Sequence, residues 1–263
     1  MKNDALLTEI KDGVGIITLN RPNVYNALDL DLKLQLSSTL TELGRETTVK
    51  CIVLTGTGKG FCSGADLSEM MTGPTPQQVF DDLTSHYYPI IKKLSFMHKP
   101  VIGAINGPMA GAGIGLGLAC DYKIMVKSAS MKFAFANISL VSDAGSTWFL
   151  ARSVGYTKAL EIIYGGEKVM AEECQRLGLV NDLAEDQEDL MTKTMDLARR
   201  LGQKAPLAYD ATKKALNFAL NHGLLDTVVF EAELQKTLIN SHDNREGVMA
   251  FMQKRSPNFK GKY

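Results

Sequence analysis

Two glycine-rich segments follow short, apolar, β-branched runs in this 263-residue chain. Gly60-Phe61-Cys62-Ser63-Gly64-Ala65-Asp66 comes after residues 51–54, and Asn106-Gly107-Pro108-Met109-Ala110-Gly111-Ala112-Gly113 after residues 101–105. Each segment puts unpaired backbone N–H groups where a helix would start. Small residues let a ligand come close to the main chain, and such amides can bond a carbonyl oxygen as it gains negative charge. The same glycines also permit tight turns and close helix packing, and spacing alone leaves both uses open. A dinucleotide is disfavoured: Gly111, Gly113, Gly115 and Gly117 alternate, and Leu116 stands where the fingerprint needs its third glycine. The Gly-Lys-Ser/Thr of a phosphate loop does not occur either.

The other polar candidates have structural uses. Asp143 precedes a helix expected from about Ala144, a place where Asp is favoured as an N-cap. Asp66 and Glu69 have capping-box spacing. His86, His98, His222 and His242 lack metal-ligand spacing, and Cys51, Cys62, Cys120 and Cys174 are scattered through apolar stretches, as expected of reduced core thiols in a cytoplasmic protein. No metal is expected. Tyr87, Tyr88, Phe96 and Met70 suit either an acyl pocket or plain core.

Strands must carry these turns. Residues 6–9 and 14–19, split by Asp12-Gly13, read as a hairpin. Leu28, Leu32, Leu36 and Leu40 recur at helical spacing before the strand at 51–54. A helix over 77–97 and a strand over 100–105 repeat that order, and a helix over 111–120 with a strand over 122–126 repeats it again. After Gly145 the chain reads as nearly continuous helix to His242. This order predicts an α/β core over 1–200 and a helical C-terminal region over 201–263. With 29 basic and 29 acidic residues, no broad field recruits nucleic acid or an anionic membrane. The polar start at residues 1–10 has no apolar signal region, and no apolar run is long enough to span a bilayer.

Five ordered motifs resemble the enoyl-CoA hydratase/isomerase, or crotonase, family. They are Asn20-Arg21-Pro22 with Asn26-Ala27-Leu28; Phe61-Cys62-Ser63-Gly64-Ala65-Asp66-Leu67; residues 99–107, KPVIGAING; Ala119-Cys120-Asp121; and the tail Arg245-Glu246-Gly247 with Lys254-Arg255, Pro257 and Phe259-Lys260. The resemblance implies a crotonase-like spiral of β-β-α repeats, assembled as a homotrimer or a dimer of trimers through its C-terminal helices. It implies an acyl-CoA substrate, with coenzyme A entering as part of that substrate and no separate cofactor. It also implies an oxyanion hole from the amides of Ala65 and Ala112, or a neighbouring glycine of that turn. Tyr25, Ala27, Ser63, Asp66, Leu67, Gly111 and Gly113 are expected to contact the thioester, and Phe259 and Lys260 to reach adenine and phosphate.

The acid–base residues depart from part of that family. Hydratases of this kind carry two glutamates, and the matching positions here are Gly115 and Phe135, which can neither move a proton nor hold a water through charge-assisted bonds. Asp143 falls where many isomerase-type relatives carry one Asp or Glu, which makes it the expected catalytic acid/base. One carboxylate suffices for a double-bond shift. Trp148 and Phe149 nearby would raise its pKa by desolvation. The expected function is therefore enoyl-CoA isomerisation, or isomerisation of a ring-derived acyl-CoA, in fatty acid or phenylacetate degradation. The alternatives are an enoyl-CoA hydratase, a dehalogenase-like use of Asp143 as nucleophile, and a non-catalytic acyl-CoA-binding protein.

Overall fold

The computed structural model of this chain describes residues 4–262, the Met70 side chain excepted. Asp12 and Gly13 both take positive φ, 53° and 75°, as a two-residue hairpin loop requires. They join β1 (Leu6–Lys11) to β2 (Val14–Leu19) antiparallel, with Leu6 opposite Leu19. Helix α1 (Leu30–Arg45) starts at Asp29, whose side chain accepts from the Leu32 amide, and buries Leu32, Leu36 and Leu40. Strand β3 (Cys51–Gly56) follows.

The helix expected over 77–97 forms, as one continuous helical run over 76–96 that widens once. After α2 (Leu67–Met70) come α3 (Pro76–Asp82), a π-turn over Leu83–Tyr87 and α4 (Tyr88–Phe96). Pro89 has no N–H to donate back into the preceding turn, and the ladder widens there. Then follow β4 (Val101–Ile105), β5 (Met109–Ala110), α5 (Ala112–Ala119), β6 (Tyr122–Val126) and β7 (Ser130–Lys132).

The stretch read as nearly continuous helix needs correcting. Helices α6 (Ser146–Val154) and α7 (Tyr156–Gly165) lead to β8 (Lys168–Met170), α8 (Ala171–Arg176) and β9 (Asp182–Ala184) before α9 (Gln187–Gly202). Strands of three residues are too short to show alternation. Helices α10 (Pro206–Ala219), α11 (Leu224–Leu238) and α12 (His242–Met252) complete the chain, so the last helix runs beyond His242.

The main sheet has the order β1-β2-β3-β4-β6-β9, and every pair beyond the hairpin is parallel. A small sheet, β5-β7-β8, stands beside it. Helix α9 lies against β3, β4 and β6. Ile17, Leu54, Ile102 and Ile105 of the sheet are fully buried, as are Leu36 and Leu40 of α1. Because β3 and β4 are parallel neighbours, the loops leaving their carboxyl ends emerge side by side, where open α/β sheets bind ligands. Among the described residues no helix is long and apolar enough to cross a membrane.

Candidate active site

The two glycine-rich turns are laid against each other. Cys62 and Met109 form a parallel bridge, Ala110 N donates to Cys62 O (3.0 Å), and Phe61 N donates to Pro108 O (3.0 Å). Close approach explains two of the glycines. Gly64, at φ 92°, would put a Cβ 2.9 Å from the Ala110 carbonyl oxygen, and a Cβ at Gly113 would lie 2.3 Å from that of Cys62. Ala65 is exposed, Ala112 is the first residue of α5, and neither amide donates to another described residue. Two free N–H groups on adjoining turns can share one developing oxyanion.

Asparagines hold the first turn rigid. The fully buried Asn26 Nδ2 donates to the carbonyls of Thr57, Gly60 and Phe61 at 3.0, 2.8 and 3.1 Å. Asn106 accepts from Gly56 N and donates to Gly58 and Gly60. Both asparagines lie within the sequence motifs, but only the fold shows what their amides bond.

The loop that carries Asp143 packs through Ala144 on the first turn of α5. A Cβ at Gly115 would lie 2.2 Å from the Ala144 carbonyl oxygen, so the loop carrying Asp143 fills the space a side chain at 115 would need. Phe135, buried, brings Cζ to 3.9 Å from the Cβ position of Gly111. The expected cap is absent: α6 starts at Ser146 with Gly145 as N-cap and no side-chain bond. Only the Asp143 carbonyl serves that turn, accepting from Ser146 N (2.9 Å) and Ser146 Oγ (2.7 Å). One carboxylate oxygen of Asp143 and the hydroxyl of Ser142 are buried with no partner among the described residues. Burial raises the Asp143 pKa to about 6, its own backbone amide offsets part of that, and the charge of Asp82 adds to it.

The remaining expected residues fall into two groups. Tyr25, at φ 52° and half exposed, accepts from Ser63 N (2.9 Å); Ser63 Oγ donates to Val24 O; and Ala27 is buried. Asp66 caps α2 by accepting from Ser68 N, and its pKa is lowered mainly by Ser68, with Arg21 Nη2 2.8 Å away adding to the effect. Leu67 opens α2 largely exposed, and Gly111 and Gly113 belong to the second turn. Phe259 and Lys260 lie with the C-terminal helices: Phe259 packs on Gly247, and Lys260 N donates to Asp243 (2.8 Å). No hydrogen bond among the described residues joins them to the turns.

Three local readings change. Glu69 does not close a capping box; it accepts from Leu30 N and lies 3.5 Å from Lys33 Nζ. Tyr88 and Phe96 are exposed, whereas Tyr87 is buried. The Met70 side chain lies outside the described residues. All four cysteines are free and buried, and burial lifts the Cys62 thiol to about 12. Sequence reasoning missed the ion-pair cluster of Lys33, Asp82 and His86 beside Tyr87, because Lys33 of α1 meets the i,i+4 pair Asp82–His86 only in the fold.

Paired amide turns at the carboxyl ends of parallel strands, in this strand order, define a class of α/β protein that neighbours resolve further. The chain belongs to the enoyl-CoA hydratase/isomerase family, whose sequence model matches residues 9–262. It is 36% identical over 260 residues to the 1,2-epoxyphenylacetyl-CoA isomerase of Escherichia coli, covering 98% of each chain. It is 39% identical over 255 residues to a probable enoyl-CoA hydratase of Rhodobacter capsulatus, covering 97% of each. An enoyl-CoA hydratase subunit I from Geobacillus kaustophilus superposes with a TM-score of 0.91 at 34% identity, covering 98% of each chain. The crotonase-like α/β fold with a helical C-terminal region, and acyl-CoA hydratase/isomerase chemistry, follow from this membership.

Proposed function

We propose that the chain isomerises an enoyl-CoA, with Asp143 carrying the proton and the amides of Ala65 and Ala112 holding the enolate oxygen. The observation that carries this reading is the filling of both hydratase carboxylate positions. The Ala144 carbonyl occupies the space beside Gly115, Phe135 covers the second turn, and a carboxylate with an unpartnered oxygen remains at Asp143. From a 3-enoyl thioester, Asp143 takes the C2 proton, the electron pair moves into the thioester carbonyl as a dienolate, and the same group returns the proton to C4. A pKa of about 6 suits both directions of transfer near neutral pH.

A ring-derived acyl-CoA is the other substrate class this reading admits, in keeping with the name of the Escherichia coli relative. The hydratase reading draws on the name of the Rhodobacter relative, and the residues at 115 and 135 weigh against it. The test is a paired assay with a 3-enoyl-CoA and a 2-enoyl-CoA of the same chain length. Isomerisation is expected to be far the faster reaction; rapid hydration without isomerisation overturns the ordering. Turnover of either substrate removes the non-catalytic binding reading. The expected homotrimer or pair of trimers would cover the apolar Leu224, Leu225 and Val229 of α11 and Phe251 and Met252 of α12, all largely exposed in one chain.

A further inference from the structure

Tyr87 has a buried hydroxyl that none of the described residues uses. The residue is 2% exposed, and its hydroxyl has no hydrogen-bond partner among the described residues. A phenol hidden from water without an acceptor destabilises the fold, a cost found where a fold reserves a polar group for a ligand or a reacting residue. Tyr87 ends the π-turn, a form often found at functional sites. Four residues on, Ile91 shares its helix face and brings Cγ2 to 3.5 Å from the Cβ position of Gly145, in the loop that carries Asp143. One buried donor and one buried acceptor, both unpartnered, thus stand on elements in contact.

We propose that Tyr87 is a positioning residue: the two groups are not bonded to each other in this structure, and a rotation of the Asp143 side chain on ionisation lets the Tyr87 hydroxyl donate to its carboxylate and hold it toward the thioester. This rests on the reading of Asp143 as the proton carrier. The charged and titratable groups around Tyr87 come from every neighbouring element: Lys33 of α1, with Nζ 4.9 Å from the ring centroid, Glu69 of α2, Asp82 and His86 before it, Cys62 of the first turn, and Asp143. Burial, then the charges of Asp82 and Asp143, push the Tyr87 pKa upward, so the phenol keeps its proton and acts only as a donor. Lys33 is paired to Asp82, which leaves the hydroxyl as the neutral donor of this cluster.

Tyr87→Phe deletes only that oxygen. The readout is the titration of the Asp143 carboxyl by carbon NMR with carboxyl-labelled aspartate, assigned by its disappearance in Asp143→Asn and measured with the acid limb of the isomerase pH profile. Losing one donor to a charged group should move the Asp143 midpoint upward by roughly one pH unit, lower kcat about tenfold and leave KM nearly unchanged. An unmoved Asp143 midpoint overturns the proposal, whatever the activity. Thermal stability should stay level or rise, and a fall of several degrees also overturns it, because the hydroxyl would then serve the fold. Failure of the Asp143 reading has a different signature: full turnover in Asp143→Asn, with or without a Tyr87 effect on the titration.

Discussion

The two halves of the candidate site are built oppositely. Around the turns, Asn26 and Asn106 tie down almost every nearby carbonyl of the first loop, and the free groups are two amides. On the carboxylate side the free groups are side chains: the Tyr87 hydroxyl, the Ser142 hydroxyl and one oxygen of Asp143. Stabilising an oxyanion benefits from dipoles fixed before the reaction. Moving a proton between two carbons needs a group whose bonds are not already committed to the fold, and burial keeps that group near neutral pKa. The difference is that between a preorganised main chain and a reserved side chain.

The largest expected effect tests the reserved half. Asp143→Asn should lower isomerase turnover by about 100- to 10,000-fold while acyl-CoA affinity persists. Its stability signature runs the other way. The folded chain holds the Asp143 proton more tightly than the unfolded chain, so the stability this gives is complete below pH 4 and lost as pH rises through about 6. Above that range Asp143→Asn should therefore be more stable than wild type, by on the order of 2 kcal/mol, with the gap closing toward pH 4. Denaturation at several pH values reads this directly, and a variant that is weaker at neutral pH restores the helix-cap reading.

Ala112→Pro tests the preorganised half. Proline is tolerated at the first position of a helix, where its missing N–H breaks no helical bond, so α5 should survive while one oxyanion donor disappears. A loss of about 100-fold in kcat is expected, and full activity in a folded variant removes the second turn from the oxyanion hole. Ala65→Ser, which keeps its amide, should change turnover by less than about tenfold and serves as the control.

Gly115 links the halves. Gly115→Glu places its Cβ into the Ala144 carbonyl and must displace the Asp143 loop. We expect a destabilisation of about 1–3 kcal/mol, reduced isomerisation and no hydratase activity in exchange. A stable, hydrating variant would show that the loop yields easily and that the carboxylate positions are interchangeable. The smallest effect is in the pH profile of the unaltered protein. Isomerase kcat/KM should fall about tenfold per pH unit below roughly pH 6, as Asp143 becomes protonated, and a profile flat to pH 5 contradicts the assignment.

Much of this was legible in the residues. Asp12-Gly13 determined the first hairpin, because the two positive φ values of its loop suit few other pairs. Leucines at helical spacing determined the buried face of α1, and the two glycine-rich turns stood out because close main-chain packing excludes side chains. Composition and ordered motifs were enough to expect the family. Local conformation and periodicity are properties of neighbours in sequence, so a sequence carries them openly.

What only the tertiary structure decided depends on residues far apart in the chain. The strands β8 and β9 exist because β7 and β6 offer them partners, not because their three residues prefer extension. Glu69 turns to Leu30 and Lys33 rather than back to its own helix start. Tyr87 is buried and Tyr88 exposed, although nothing in their type separates them. The carbonyl of Ala144 stands where a side chain at 115 would reach, and Asp143, free of any cap, keeps an unpartnered oxygen in a buried place. Contact across the sheet and its helices sets burial, and burial sets whether a carboxylate keeps its ordinary pKa or a raised one.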